Sequence, residues 1–183
     1  MTLKHVDVTI EGIAPLLMHR PDMEALETPH SGKKSEADKE EEAKRAAYRN
    51  GRGLIWPSGN LKACLVEATS MSGLKRGKRG LMTYVRAGLF IDPVEIPFGK
   101  KEPDDIFKHL GRIPPGKKGA LVVLRRPRLY EWKLSFKLVV IDPLLGPDQL
   151  QKIVEYAGQY VGIGAWRPEH GRFEVTRFEA VGT

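Results

Sequence analysis

Apolar and polar side chains alternate in two long stretches of the chain, residues 5–11 and 132–141. The apolar members of these stretches are Val6, Val8, Ile10, Trp132, Leu134, Phe136, Leu138 and Val140. A period of two is typical of a strand with one buried face. Shorter apolar stretches predict further strands at 81–91, 94–98, 120–124 and 172–180. The weaker alternation of the last one favours a β-bulge.

Two other segments repeat apolar residues every three to four positions, which predicts helices. Ser58 or Asn60 is a suitable N-cap for the first helix. Pro147 suits the first turn of the second. The two apolar stripes comprise Leu61, Leu65 and Ala68 in the first segment and Leu150, Ile153, Val154, Ala157 and Val161 in the second.

The resulting order is strand, helix, strands, helix, strand. This is the order of the ferredoxin-like, RRM-like fold, in which two helices cover one face of an antiparallel sheet. We therefore expect a single α+β domain over residues 1–183, with residues 5–11 and 172–180 in the same antiparallel sheet.

Two polar segments interrupt this pattern and predict insertions with a finger-like role. Residues 19–52 contain a highly charged stretch at 35–49, which predicts a helix without an apolar stripe. Such a helix has no face to dock on a core, so we expect the segment to extend from the domain and to be mobile when unbound. Residues 99–119 form the second insertion, rich in Lys, Gly and Pro.

The composition narrows the class of partner. The chain has 30 Lys and Arg against 23 Asp and Glu, a formal net charge of +7, which favours a polyanionic partner. No apolar run is long enough to span a membrane, and the first residues lack the apolar core of a signal peptide. The single Cys64 predicts a buried packing thiol, and no Cys/His set has zinc-site spacing. We expect a cytoplasmic protein without metal or cofactor.

Residues 162–172 form a glycine-rich loop between the second helix and the last strand. It is not a dinucleotide-binding fingerprint, because it follows a helix and precedes a strand. We expect its glycines to bring backbone N–H groups close to phosphate, Trp166 to stack on a base, and basic side chains to add charge. The alternative is a structural turn with a packed tryptophan. The candidate binding residues of this loop are Gly162, Gly164, Trp166, Arg167, His170, Gly171 and Arg172.

Basic residues cluster at two further places. One cluster, Lys75, Arg76, Lys78 and Arg79, lies in a glycine-rich stretch after the first helix, and the other, Arg125, Arg126 and Arg128, lies at a strand-to-strand connection. Lys62 lies near the start of the first helix, where the helix dipole favours anions. We predict that these residues and the glycine loop form one phosphate-binding track. The alternative is an ordinary solvated surface.

Three motifs resemble the RAMP superfamily, the repeat-associated RRM-fold proteins of CRISPR systems. Residues 55–63, IWPSGNLKA, resemble the family's I-P-G-S-S-L-K-G entry to the first helix. Residues 14–17, APLL, resemble the Pro-Leu end of its first strand, and residues 162–172 resemble its glycine-rich loop. Asn60 and Ala63 depart from the commoner serine and glycine. The resemblance is closest to the backbone subunits that bind guide RNA, or to a stand-alone or virus-encoded relative.

The leading hypothesis is therefore a non-catalytic subunit that binds single-stranded RNA or DNA and packs side by side with copies of itself in a filament. Other CRISPR-effector subunits are further expected partners. A second hypothesis is a metal-independent endoribonuclease of the same superfamily, with His19 or His30 as general base. Asp22 lies near the position of a catalytic aspartate in some relatives, but no motif assigns it that role. A third hypothesis is an assembly protein that has kept only the fold.

Overall fold

The structure is a computed structural model that describes residues 4–21, 35–76, 78–113, 120–141 and 145–181. In chain order, its strands are β1 (Lys4–Gly12), β2 (Leu16–Leu17), β3 (Arg49–Asn50), β4 (Gly53–Pro57), β5 (Lys75–Arg76), β6 (Arg79–Gly80), β7 (Leu89–Asp92), β8 (Glu95–Pro97), β9 (Asp105–Ile113), β10 (Ala120–Leu129), β11 (Lys133–Val140) and β12 (Phe173–Val181). Its helices are α1 (Glu36–Arg45), α2 (Ser58–Met71), α3 (Met82–Gly88) and α4 (Pro147–Tyr156), the last extended by a π-helical turn at Ala157–Val161.

The central sheet has four antiparallel strands in the order β12-β1-β11-β7. The alternating residues pair as their pattern predicts, since Val8 of β1 lies opposite Phe136 of β11 and both are buried. Strands β1 and β12 pair as expected for residues 5–11 and 172–180, with a shift of register after Thr9 that marks the predicted bulge. The prediction that the two ends of the chain share a sheet is confirmed.

Helices α2 and α4 bury their apolar stripes in the core together with the sheet. The stripe of α2 includes Leu61, Leu65 and Ala68, and that of α4 includes Leu150 and Ile153, all at most 1% exposed. These side chains and the inner face of the central sheet belong to one hydrophobic cluster. The architecture is α+β with antiparallel sheets, compatible with an RRM-like fold.

Two local predictions are wrong. Residues 82–88, part of the strand predicted at 81–91, form helix α3, because Leu81, Val85 and Gly88 are buried at helical spacing. Helix α2 has no side-chain cap from Ser58 or Asn60. It begins at Ser58, whose backbone N–H donates to the carbonyl oxygen of Val94 at 2.8 Å. The backbone of a neighbouring loop thus replaces the predicted side-chain cap.

Strands β2, β9 and β10 form a second sheet, dominated by the β9–β10 hairpin. Strand β9 covers residues 105–113 of the second predicted insertion, and residues 114–119 lie outside the described residues. Strand β10 extends to Leu129, well beyond the predicted 120–124. Arg125, Arg126 and Arg128 therefore lie within a strand and not at a connection between strands.

Helix α1 confirms the charged helix predicted within residues 35–49, but it does contact the rest of the protein. Ala43 and Ala47 are buried, and β3 pairs with β4. The expectation that this helix has no face to dock is therefore wrong, because Ala43 is buried and two glutamates of the helix pair with the β9–β10 hairpin. Residues 22–34, with Asp22 and His30, lie outside the described part of the chain. Among the helices described, none combines the length and the apolar character that a membrane crossing requires.

Candidate nucleic-acid interface

Four rings meet where the glycine loop (residues 162–172) contacts the β9–β10 hairpin. The ring cluster consists of Phe107, His109, Trp166 and His170. Trp166 stacks on His109 with ring centroids 4.5 Å apart and on His170 at 5.3 Å. Phe107 contacts the other three rings at centroid distances of 5.5–6.0 Å. Trp166 is 47% exposed, so the cluster presents an aromatic surface to solvent.

The backbone of Trp166 is strained. Its φ of 57° is left-handed, a conformation that costs a side-chain-bearing residue about 1–2 kcal/mol. A large aromatic residue in this conformation persists only where its surroundings hold it, and such strain is concentrated at functional sites. The stacked histidines provide these surroundings. The conformation is evidence that the position of this ring matters.

Arginines of β10 border the ring cluster. The guanidinium of Arg128 lies over the rings of Phe107 and Tyr130, at 4.6 and 4.5 Å from their centroids. It also pairs with Asp105, and its hydrogen bond is the main reason that the pKa of that carboxyl lies below its usual value. Arg126 lies close enough for its charge to lower the pKa of His109. The site therefore combines rings with positive charge, the two elements of a surface that binds single strands.

Both histidines of the cluster favour the neutral form. Burial lowers the pKa of His109 and of His170, and the charges of Arg126 and Arg128, respectively, lower it further. Within the described part of the chain, the Nδ1 atom of each has no hydrogen-bond partner. Two neutral imidazoles beside arginines are therefore available to stack.

The glycines of the loop serve contacts within the protein. Gly164 and Gly171 have φ angles of 90° and 74°, and a Cβ atom at these positions would overlap the carbonyl oxygens of Leu17 and Ile163. The N–H of Gly171 donates to the carbonyl oxygen of Pro15 at 2.8 Å, and that of Gly162 donates to Ala157 at 2.8 Å. The prediction that these N–H groups are free for phosphate is therefore wrong for Gly162 and Gly171. The loop is a rigid support that is hydrogen-bonded to the residues around β2.

The remaining candidate residues of the loop and of α2 make other contacts. Arg167 turns towards α2, where its Nη1 atom lies 3.1 Å from a carboxylate oxygen of Glu67. Cys64 is buried and its thiol lies 3.1 Å from the carbonyl oxygen of Gly162, while burial raises its pKa to about 12, as expected for a packing thiol. Lys62 lies over the ring of Phe90 at 4.6 Å, and Arg172 is exposed.

The first basic cluster forms a separate hairpin of β5 and β6. Lys75, Lys78 and Arg79 are exposed, and Arg76 pairs with Arg79 in the two-stranded ladder. The hairpin follows the C-terminal end of α2, whereas Cys64 and Glu67 in the middle of that helix contact the glycine loop. A single track through all of these residues stays a prediction.

Phe107 and His109 are the site residues that sequence reasoning missed. They lie in the polar segment 99–119, which its Lys, Gly and Pro content marked as an insertion. Their spacing of two residues, with Asp105 before them, was the available signal, because residues i and i+2 of a strand share a face. Trp166 and His170 were predicted site residues, and the structure places both in the ring cluster.

No catalytic set is evident among the described residues. No group of three or more His, Cys, Asp or Glu side chains in the described ranges is arranged to hold a metal ion. His19 lies at the surface, where partial burial and the charge of Arg126 lower its pKa. Its carbonyl oxygen accepts a hydrogen bond from the Tyr48 hydroxyl at 3.1 Å.

Comparisons with known proteins indicate the fold. No protein-family model matches the chain, and no curated protein matches it. Among solved structures, it is similar to a chain in the cryo-EM structure of the type III-B Cmr-beta bound to cognate target RNA, with 12% identity and a TM-score of 0.52. The match covers 98% of this chain and 61% of the other, so this chain spans less than two thirds of that chain's length. At this identity the likeness is one of fold.

Proposed function

We propose that this protein binds single-stranded RNA, with bases stacked on the ring cluster and the strand's phosphates held by basic side chains around it. The observation that supports this most directly is the exposed, strained Trp166, which stacks against two histidines beside Arg126 and Arg128. An aromatic face with neighbouring arginines binds any base by stacking and the backbone by charge.

The fold is consistent with the same proposal. The strand order β12-β1-β11-β7, with α2 and α4 between the strands along the chain, is compatible with an RRM-like domain. The similar chain of known structure belongs to an assembly bound to target RNA. We propose that the present chain is a RAMP-like, non-catalytic subunit that packs side by side with copies of itself along the strand. Lys62, Arg172 and the β5–β6 hairpin would add phosphate contacts.

The test is the binding of a fluorescein-labelled 20-nucleotide single-stranded RNA, followed by anisotropy over a series of salt concentrations. Stacking is worth about 1–3 kcal/mol per base, so Trp166→Ala should weaken binding about tenfold or more. Tyr160→Ala is the matched control, because Tyr160 is 55% exposed and its ring contacts Tyr156. Equal affinities of the two variants would contradict a role for the cluster, and a parent protein that does not bind would contradict the function.

The two neutral histidines support nuclease activity as the second candidate function. A neutral imidazole can accept the proton of an RNA 2′-hydroxyl, and His109 and His170 lie beside the cations that would stabilise the resulting charge. Incubation with end-labelled RNA in EDTA separates the candidates. Discrete products that disappear in His109→Gln or His170→Gln would establish cleavage, whereas intact RNA supports binding alone.

A further inference from the structure

The β9–β10 hairpin has two different faces. Residues directly opposite each other in an antiparallel pair share a face, and successive residues alternate between faces. Phe107 lies opposite Arg126, on the face of the ring cluster. Lys108 lies opposite Arg125, on the other face, and the two form a cross-strand cationic pair.

The cationic pair is unfavourable without an anion. Like charges directly opposite each other destabilise a strand pair. The side chain of Arg125 is only 12% exposed, and among the described residues its Nε atom is buried without a hydrogen-bond partner. A guanidinium in this state has an unused donor in the geometry that suits a carboxylate or a phosphate. The cationic pair therefore has the chemistry of an anion-binding site.

Helix α1 supplies the anions in this structure. A carboxylate oxygen of Glu36 lies 2.6 Å from Arg125 Nη2, and one of Glu40 lies 2.9 Å from Lys108 Nζ. The two glutamates are four residues apart and so lie on the same face of the helix. The hydrogen bonds from Lys39 to Glu36 and from Lys108 to Glu40 lower the pKa of each carboxyl, which keeps both ionised at neutral pH.

For its length, helix α1 makes a weak contact with the β9–β10 hairpin. Ala43 is the one buried residue of the helix. A gap of about 530 Å³ remains between α1 and β10, lined by residues that include Glu36, Lys39, Ala43 and Arg125. Glu36 is 69% exposed and Glu40 52% exposed, and solvent screening leaves exposed ion pairs with little net stabilisation. Neither packing nor charge therefore holds the helix strongly against the hairpin.

Resting on the proposed RNA-binding function, we propose that Lys108 and Arg125 form a second phosphate site and that the acidic face of α1 is its built-in competitor. A strand that stacks on the ring cluster and continues around the hairpin displaces Glu36 and Glu40 from the cationic pair. The helix thereby limits use of this second phosphate site to strands long enough to occupy both faces.

The experiment measures RNA affinity and its dependence on salt for Glu36→Gln and Glu40→Gln. Glu41→Gln is the matched control, because it changes the net charge equally on the same helix but Glu41 pairs with Lys44. Each of the first two variants should tighten binding of a 20-nucleotide RNA about threefold and steepen the logarithmic salt slope by about 0.7, the value for one more phosphate contact on a single strand. A five-nucleotide RNA should bind all variants alike.

A double-mutant cycle tests the competition itself. Arg125→Ala should weaken binding only slightly in the parent, because the phosphate contact that it removes merely replaces the pairing with Glu36, and should weaken binding about threefold in the Glu36→Gln background. Equal effects of Glu36→Gln and Glu41→Gln, or an equal effect of Arg125→Ala in both backgrounds, would overturn the proposal. These outcomes differ from failure of the proposed function, in which the parent does not bind RNA at any salt concentration.

Discussion

The β5–β6 hairpin at residues 74–80 and the glycine loop at 162–172 both combine glycine with basic residues, but they relate differently to the rest of the protein. A Cβ atom on Gly171 would overlap the carbonyl oxygen of Ile163, and one on Gly164 that of Leu17. Around Gly73 and Gly80, by contrast, the described part of the chain leaves space for a side chain. Glycine is required by packing in the first case, whereas in the second only the positive φ of 65° at Gly73 favours it.

This difference determines how each loop presents its side chains. The glycine loop is hydrogen-bonded to Pro15 and Leu17, and it holds Trp166 at a fixed position against the hairpin. In the β5–β6 hairpin, Lys75, Lys78 and Arg79 extend into solvent. A preorganised group loses less entropy on binding, so the glycine loop suits base stacking and the hairpin suits non-directional attraction of phosphate. Glycine and arginine content alone does not separate these roles.

The largest expected effect concerns stability. Gly171→Ala should lower the free energy of unfolding by at least about 3 kcal/mol, because it adds a clash with Ile163 to a left-handed φ of 74°. Gly80→Ala, with open space around it, should change it by less than about 0.5 kcal/mol. Urea unfolding followed by tryptophan fluorescence gives both values. Similar losses in the two variants would show that the loops do not differ as described.

The sequence determined the central architecture because the apolar period of each element matches its environment. Val6, Val8 and Ile10 alternate, and all three are buried in the sheet. The period also explains why the strand prediction was wrong at α3, because a short apolar run fits both a strand and a buried helix. Phe107 and His109 were missed for a different reason: the ring cluster joins residues about 60 positions apart, and only the folded hairpin brings them to the glycine loop.

Predictions from local composition were also wrong about the groups that bind anions. The glycines of residues 162–172 suggested free N–H groups, but those of Gly162 and Gly171 are used within the protein. The acidic stretch in α1 predicted a helix without a docking face, because the sequence does not show that Lys108 and Arg125 become cross-strand neighbours. Both errors concern long-range partners, which depend on register and not on local pattern.

The second prediction distinguishes the two loops by the length of RNA that each one binds. The double substitution Lys78→Gln with Arg79→Gln should weaken binding of a 20-nucleotide RNA about tenfold at low salt and reduce the logarithmic salt slope by about 1.4, as expected for two lost phosphate contacts. Binding of a five-nucleotide RNA, short enough for the ring cluster alone, should not change. If the short strand is affected equally, the hairpin and the cluster belong to one compact site and the comparison fails.

The smallest expected effect is a dependence of stability on pH that comes from the ring cluster and not from the basic hairpin. Burial lowers the pKa of His109 and His170 in the folded protein, as it does for His19. The unfolded chain then binds more protons than the folded one just below the ordinary histidine pKa of about 6.5, so stability falls as the pH drops through this value and levels off below the folded-state pKa.

The titration of carboxyl groups does not contribute to the loss of stability in this pH range. The pKa values of Asp105, Glu36 and Glu40 are lowered by hydrogen bonds to Arg128, Lys39 and Lys108, so the stability that they contribute is lost only below about pH 4. Between pH 7.5 and 5.5 the parent should therefore lose on the order of 1 kcal/mol or less, measured as a shift of the urea midpoint. His109→Gln with His170→Gln should remove most of this loss, whereas Lys78→Gln with Arg79→Gln should leave it unchanged. A loss of equal size in the double histidine variant would assign the pH dependence to groups outside the cluster.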